Sequence, residues 1–149
     1  MSIRILIVCL GNICRSPAAE AILRGRAATA GLDIVVDSAG TGHWHIGEPP
    51  HGDMIRTAAG RGYDLSALRA RQVGPEDFGR FDLILAADPQ NRADLEAMRP
   101  PGATTPVRLL APYGNGTGES IPDPYMTENF DAAFDLIEEA CDGLIAQLQ

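Results

Sequence analysis

Position 9 of this chain is a cysteine, and five residues separate it from Arg15 and Ser16, in the run Val8-Cys9-Leu10-Gly11-Asn12-Ile13-Cys14-Arg15-Ser16-Pro17. These residue types suit a thiolate nucleophile facing a bound tetrahedral oxyanion. The thiolate is the reactive form of cysteine, and a helix N-terminus and a guanidinium both favour it. Arg15 offers a planar fork that matches two phosphate oxygens bidentately, as lysine cannot. Gly11 and Asn12 tolerate left-handed backbone angles, which curl a loop so that its N–H groups converge. Ser16 can donate its hydroxyl proton to the sulfur. An inert buried Cys9 beside a solvated Arg15 would need none of this arrangement.

A cysteine that attacks phosphorus must expel an alkoxide or phenolate, and its thiophosphate must then be hydrolysed. One carboxyl group serves both steps, first as acid and then as base. Ile121-Pro122-Asp123-Pro124-Tyr125 supplies it, with two prolines stiffening the loop around Asp123 and Tyr125 placed to pack against an aromatic leaving group. Asp-Pro alone would read as an ordinary turn; it gains meaning from the Cys9 loop.

These residues need elements to hold them. Ile3 to Val8 is β-branched and almost continuously apolar, as a buried parallel strand should be. Ser16-Pro17 then reads as a helix start, with Ser16 as N-cap and Pro17 at the first helical position. This helix runs to about Ala30 and is ended by Gly31. Ile34 to Val36 forms a second strand, and Asp37 to Gly42 opens a long loop through Pro49-Pro50. A helix follows from Gly52 to Gly60, a strand from Phe81 to Ala86, and a helix opened by Asp88-Pro89. Val107 to Leu110 is a fourth strand, and the Pro/Gly-rich stretch Ala111 to Tyr125 leads to a closing helix from Thr127 to Leu148.

Strands alternating with helices predict an α/β fold. The expected architecture is a single domain over residues 1–149, with a central four-stranded parallel sheet covered by helices on both faces and a phosphate-binding loop after strand 1. Ligands of such folds bind beyond the carboxyl ends of the strands. Cys9, Ser38 and Asp88 each follow a strand and should share that rim. In the last helix, Phe130, Phe134, Ile137, Cys141, Leu144 and Leu148 form an apolar stripe, which makes Cys141 a core residue. Asp131, Asp135, Glu138 and Asp142 lie on the solvent side.

The net charge of −8 argues against nucleic-acid binding, and no apolar run is long enough for a membrane helix. Three cysteines make no disulfide framework. The opening residues form a strand without a leader pattern, so a cytoplasmic protein is expected. All twelve basic residues are arginine. Because the overall field repels anions, an anionic substrate requires a focused positive site, and Arg15 with the loop amides provides it. His43, His45 and His51 could be imagined around a metal, but solvated loop histidines that add positive charge to the cleft rim are the simpler reading.

From Ile5 to the closing helix, the chain resembles the low-molecular-weight protein tyrosine phosphatases. The likeness rests on the Cys9–Ser16 loop, on Asp37-Ser38-Ala39-Gly40-Thr41 and on Asp123-Pro124-Tyr125, in that order and spacing. The resemblance implies Cys9 as nucleophile, Arg15 as phosphate clamp and Asp123 as general acid and then base. It implies that the amides from Leu10 through Gly11, Asn12, Ile13 and Cys14 to Arg15 bind phosphate, and that Asn12, Ser16 and Ser38 hold the loop. Trp44 and Tyr125 would sandwich a phenyl ring. Cys14 matches a second loop cysteine able to form a reversible disulfide with Cys9. Related arginine phosphatases carry threonine where this chain has Ile13, which favours an aryl phosphate.

The implied partner is a phosphotyrosine-containing protein or peptide, with inorganic phosphate or vanadate as a competing ligand and no metal or organic cofactor. Two departures stand out. Leu68 occupies a position where relatives often place a histidine that supports the loop asparagine, and Met126 replaces a frequent second tyrosine. A thioredoxin-coupled arsenate reductase would need relay cysteines after the third strand, and Ala86 to Pro101 has none. A non-catalytic phosphate-binding module would require neither the thiol nor the acid.

Overall fold

The structure is a computed structural model and describes residues 2–115 and 118–149. Four parallel strands, β1 (Ile3–Cys9), β2 (Ile34–Gly40), β3 (Leu83–Ala86) and β4 (Val107–Leu109), form one sheet in the order β2-β1-β3-β4. The apolar run of β1 is central and pairs on both sides: Ile3 lies opposite Ile34 and Cys9 opposite Gly40, while Ile5 lies opposite Leu83. Its side chains alternate between two cores. Ile5 and Ile7 join the larger core with Ile22, Leu23, Phe134, Ile137 and Cys141, contributed by α1 (Arg15–Ala30) and α6 (Phe130–Leu148). Leu6 and Val8 join the other with Phe78 of α3 (Asp77–Arg80) and Leu95 of α4 (Pro89–Met98). Each fully buried Leu, Ile or Phe contributes about 2 kcal/mol relative to exposure. The layered parallel sheet expected from the strand–helix alternation is what forms.

Several boundaries differ from the expected ones, for physical reasons. Helix α1 starts at Arg15 behind Cys14, without a side-chain cap. Ser16 is therefore not the N-cap, because its hydroxyl is engaged by Cys9 and Asn12. Strand β2 continues through Gly40, since pairing with β1 persists to Cys9; the expected loop at Asp37 begins only at Thr41. Helix α2 (Gly52–Gly60) falls where expected, whereas the short α3 was not anticipated. The Pro/Gly-rich stretch includes a 3-10 turn at Ala111–Tyr113, and its Gly116 and Thr117 lie outside the described residues. Pro124–Thr127 forms a separate turn, α5; Glu128 then adopts a left-handed φ of 62°, so α6 begins at Phe130, capped by Asn129. Among the described residues, no helix is long and apolar enough to cross a membrane.

Candidate active site

Cys9 ends β1 and is 3% exposed. Its Sγ lies 3.0 Å from Ser16 Oγ and accepts the backbone N–H of Asn12 at 3.2 Å. Asn12 attains this geometry through a left-handed φ of 56°, which asparagine tolerates better than most side chains. Gly11, expected to share that conformation, does not. Its missing side chain instead admits the His45 ring, whose Cδ2 would lie 3.1 Å from a Cβ. Gly40 matters similarly, since a Cβ there would meet Leu10 O at 2.8 Å and force the loop off the end of β2. Among the described residues, the N–H groups of Leu10, Gly11, Ile13, Cys14 and Arg15 have no protein acceptor. Curled before the first turn of α1, they form a donor set suited to an anion.

Behind the loop, Asn12 Nδ2 donates to Ser16 Oγ at 2.8 Å and to Ser38 Oγ at 3.0 Å. Asn12 Oδ1 accepts the Arg71 N–H at 2.9 Å. Ser16 Oγ, 3.0 Å from Cys9 Sγ and 3.4 Å from Ala39 O, can give its one hydroxyl proton to either acceptor, and to sulfur when Cys9 is a thiolate. Ser38 passes its own proton bond to Glu20 Oε1 at 2.6 Å, and Glu20, 4% exposed, is neutralised by Arg24 at 2.6 Å. Sequence reading missed Glu20; its only signal is the four-residue spacing to Arg24 on one helix face. Leu68, where a histidine was expected to support Asn12, packs against the larger core. The Arg71 main chain and the Ser38–Glu20 pair support Asn12 in its place.

Arg15 is 4% exposed and reaches along the strand ends. Its Nη1 donates to Asp88 Oδ2 at 2.8 Å and to Ile121 O at 2.9 Å. Nη2 lies 3.6 Å from Asp123 Oδ2. Anchoring through Nη1 leaves the Nε–Nη2 edge to face two ligand oxygens. Asp88 has two functions, because its Oδ1 also accepts the Asn91 N–H at 2.8 Å and caps α4. The cap was legible in Asp88-Pro89; the bond to Arg15 was not. Asp123 caps α5 in turn, its Oδ1 accepting the Tyr125 N–H at 3.1 Å.

These parts converge on one cleft of about 420 Å³. Cys9, Leu10, Gly11, Ile13, Cys14, Arg15, Trp44, Asp123 and Tyr125 line it, together with His45, which the sequence reading placed on the cleft rim as a solvated histidine. Asn12, Ser16 and Ser38 lie beneath the loop and are buried. Trp44 stacks on His43 with ring centroids 5.4 Å apart and is 63% exposed. His45 Nδ1 bonds Glu48 Oε2 at 2.8 Å, and the His51 ring lies against Phe130. Burial, then the neighbouring Cys9 and Asp123, push the Cys14 thiol up to about 12 against the pull of Arg15. Burial likewise raises Cys141, which is fully enclosed in the larger core.

Comparison with known proteins agrees with this arrangement. The sequence pattern of the family described as "Low molecular weight phosphotyrosine protein phosphatase" matches residues 4–149. The low molecular weight protein-tyrosine-phosphatase YfkJ of Bacillus subtilis is 43% identical over 150 residues, covering 99% of this chain and 96% of that protein. Its crystal structure superposes with a TM-score of 0.94 over 100% of this chain and 96% of that one, at 42% identity. The Drosophila arginine phosphatase DARP gives a TM-score of 0.91 at 34% identity, covering 97% of each chain. Wzb of Vibrio vulnificus, solved with benzylphosphonate, gives 0.84 at 29% identity, covering 97% of this chain and 98% of that one. A cysteine loop on a parallel-sheet rim, an arginine behind it and relatives of this kind along the whole length place the chain in the low molecular weight phosphotyrosine protein phosphatase family.

Proposed function

We propose that this phosphatase hydrolyses phosphotyrosine in a protein or peptide through a cysteinyl-phosphate intermediate. In the first step Cys9 Sγ attacks phosphorus, the bond to the phenolic oxygen breaks, and Asp123 gives its proton to the departing oxygen. In the second step the Asp123 carboxylate takes a proton from water, the water oxygen attacks phosphorus, and the S–P bond breaks to release phosphate and the Cys9 thiolate. The loop amides and the open edge of Arg15 hold the equatorial oxygens throughout. The Ser16 hydroxyl and the Asn12 N–H stabilise sulfur as it leaves. One observation carries the reading: a sulfur that accepts the Asn12 N–H and lies within hydrogen-bond distance of the Ser16 hydroxyl lines the same cleft as Arg15 and Asp123. The aryl preference draws support from Trp44 and Tyr125 on the cleft wall and from the benzylphosphonate bound to Wzb.

Inorganic phosphate and vanadate compete for the same loop, and the substrate is expected in a reducing, cytoplasmic setting. The test is Cys9→Ser assayed with a panel of phosphotyrosine, phosphoserine and phosphoarginine peptides plus arsenate. The wild type should turn over phosphotyrosine first, and the variant should lose turnover while still binding phosphate. Substantial turnover by Cys9→Ser would remove the nucleophile, and preferential turnover of phosphoarginine would replace the substrate.

A further inference from the structure

Tyr125 poses a problem of support. It is 57% exposed, yet as a wall of the cleft it must hold a fixed position against a ligand ring. Its own turn, α5, is one turn long and binds it only through the backbone. Among the described residues its aromatic neighbours are two imidazoles. His45 lies at 6.4 Å with the ring planes tilted by 58°, and His51 lies at 6.0 Å, edge-on at 89°.

His51 is anchored from three directions. Its ring packs on Phe130 at a centroid distance of 5.0 Å with the planes 31° apart, and Phe130 in turn packs against the larger core. Its backbone N–H donates to Ile13 O, inside the Cys9 loop, at 2.7 Å. Its Nδ1 accepts the Asp53 N–H at 3.1 Å and so caps α2. An exposed ring is thereby connected to the core through two others, and the middle one is fixed to the phosphate-binding loop itself. Edge-to-face contacts of this kind are favourable and directional.

We infer that His51 is a positioning residue that sets Tyr125 at a fixed distance from the Cys9 loop and so confers affinity for an aromatic group next to the bound oxyanion. This rests on the reading of Tyr125 as the aryl wall. The ring of His51 performs this function; its Nδ1 serves the helix cap. The two roles can be separated, because phenylalanine keeps a ring and loses the acceptor, whereas asparagine keeps a capping acceptor and loses the ring.

Binding of benzylphosphonate and of inorganic phosphate, measured by calorimetry on wild type, His51→Asn, His51→Phe and Tyr125→Ala, tests this. Phosphate reports the loop alone and benzylphosphonate the loop plus the wall. His51→Asn should weaken benzylphosphonate about fivefold, as loss of an aromatic contact would, and leave phosphate unchanged. His51→Phe should bind both as wild type does, while its Tm falls by about 3 °C from the lost cap. Equal weakening of both ligands in His51→Asn, or a loss in His51→Phe as large as in His51→Asn, overturns the inference. If Tyr125→Ala binds benzylphosphonate like wild type, the wall reading fails and the inference with it. If wild type binds neither ligand, the phosphatase assignment of the cleft fails first.

Discussion

At the scale of single residues, the site divides its work between groups that react and groups that hold them. Asp123 Oδ1 accepts the Tyr125 N–H and Oδ2 faces Arg15, so on the proposed mechanism Oδ2 is the oxygen that exchanges the proton. Asp123→Ala should lower kcat about 10²- to 10³-fold for a poor leaving group such as phenyl phosphate. The loss should be far smaller for p-nitrophenyl phosphate, whose leaving group needs less help; equal losses would remove Asp123 as the acid. Cys14 gives a second expectation. Peroxide should oxidise Cys9 to a sulfenic acid, and attack by Cys14 should then close a disulfide with loss of water. The attacking species is a thiolate, and the Cys14 thiol is pushed up to about 12 by burial and then by Cys9 and Asp123. Below that value its thiolate fraction rises with pH, so closure should accelerate from pH 7 to pH 9. Dimedone should therefore trap more sulfenic acid at the lower pH. Irreversible oxidation of Cys9 alone at both pH values would deny Cys14 a protective role.

At the scale of elements, strand ends and helix starts set the chemistry, and this is also where the sequence was legible in part. The apolar run of β1 and the alternation of strands with helices were enough to infer a parallel sheet and to put Cys9 and Asp88 on one rim, whereas Ser38, expected beside them, lies inside β2 opposite Ile7. Local rules failed where a tertiary contact outbid them. Ser16-Pro17 obeys the capping pattern, but a cysteine sulfur seven positions back takes the hydroxyl. Ser38 and Gly40 read as loop residues, but pairing with β1 keeps them in a strand. The Arg15–Asp88 bond spans 73 positions and leaves no periodic trace. Its importance can be tested because Asp88 serves two elements. Asp88→Asn keeps a cap for α4 and removes the charge facing Arg15, so phosphate affinity should fall about tenfold with little change in Tm. Asp88→Ala should lose the affinity and also about 1 kcal/mol of stability, read by urea denaturation. If both variants bind phosphate like wild type, Arg15 does not depend on this anchor.

At the scale of the whole molecule, the charge of −8 opposes the chemistry of the cleft. Much of the cationic charge is already committed elsewhere. Arg61 pairs with Asp131, Asp135 and Glu138, and Arg26 pairs with Glu138 and Asp142. The acidic face of α6, expected to be merely solvated, is thus partly neutralised by the residues packed against it. The remaining field should disfavour acidic phosphopeptides and weaken as salt screens it. Between 10 and about 150 mM NaCl, the ratio of kcat/KM for a neutral peptide to that for an acidic one should narrow; a constant ratio would mean that only the local positive site counts. A different economy governs the cleft itself, where the proton donor and the aromatic wall sit two residues apart on one short turn. On the proposed mechanism, a ring that settles against Tyr125 would also be brought beside the carboxyl that protonates its oxygen. Selectivity would then enter through turnover as well as affinity, because a phosphate ester without a ring would bind in the same loop but lack the contact that holds its leaving oxygen beside Asp123.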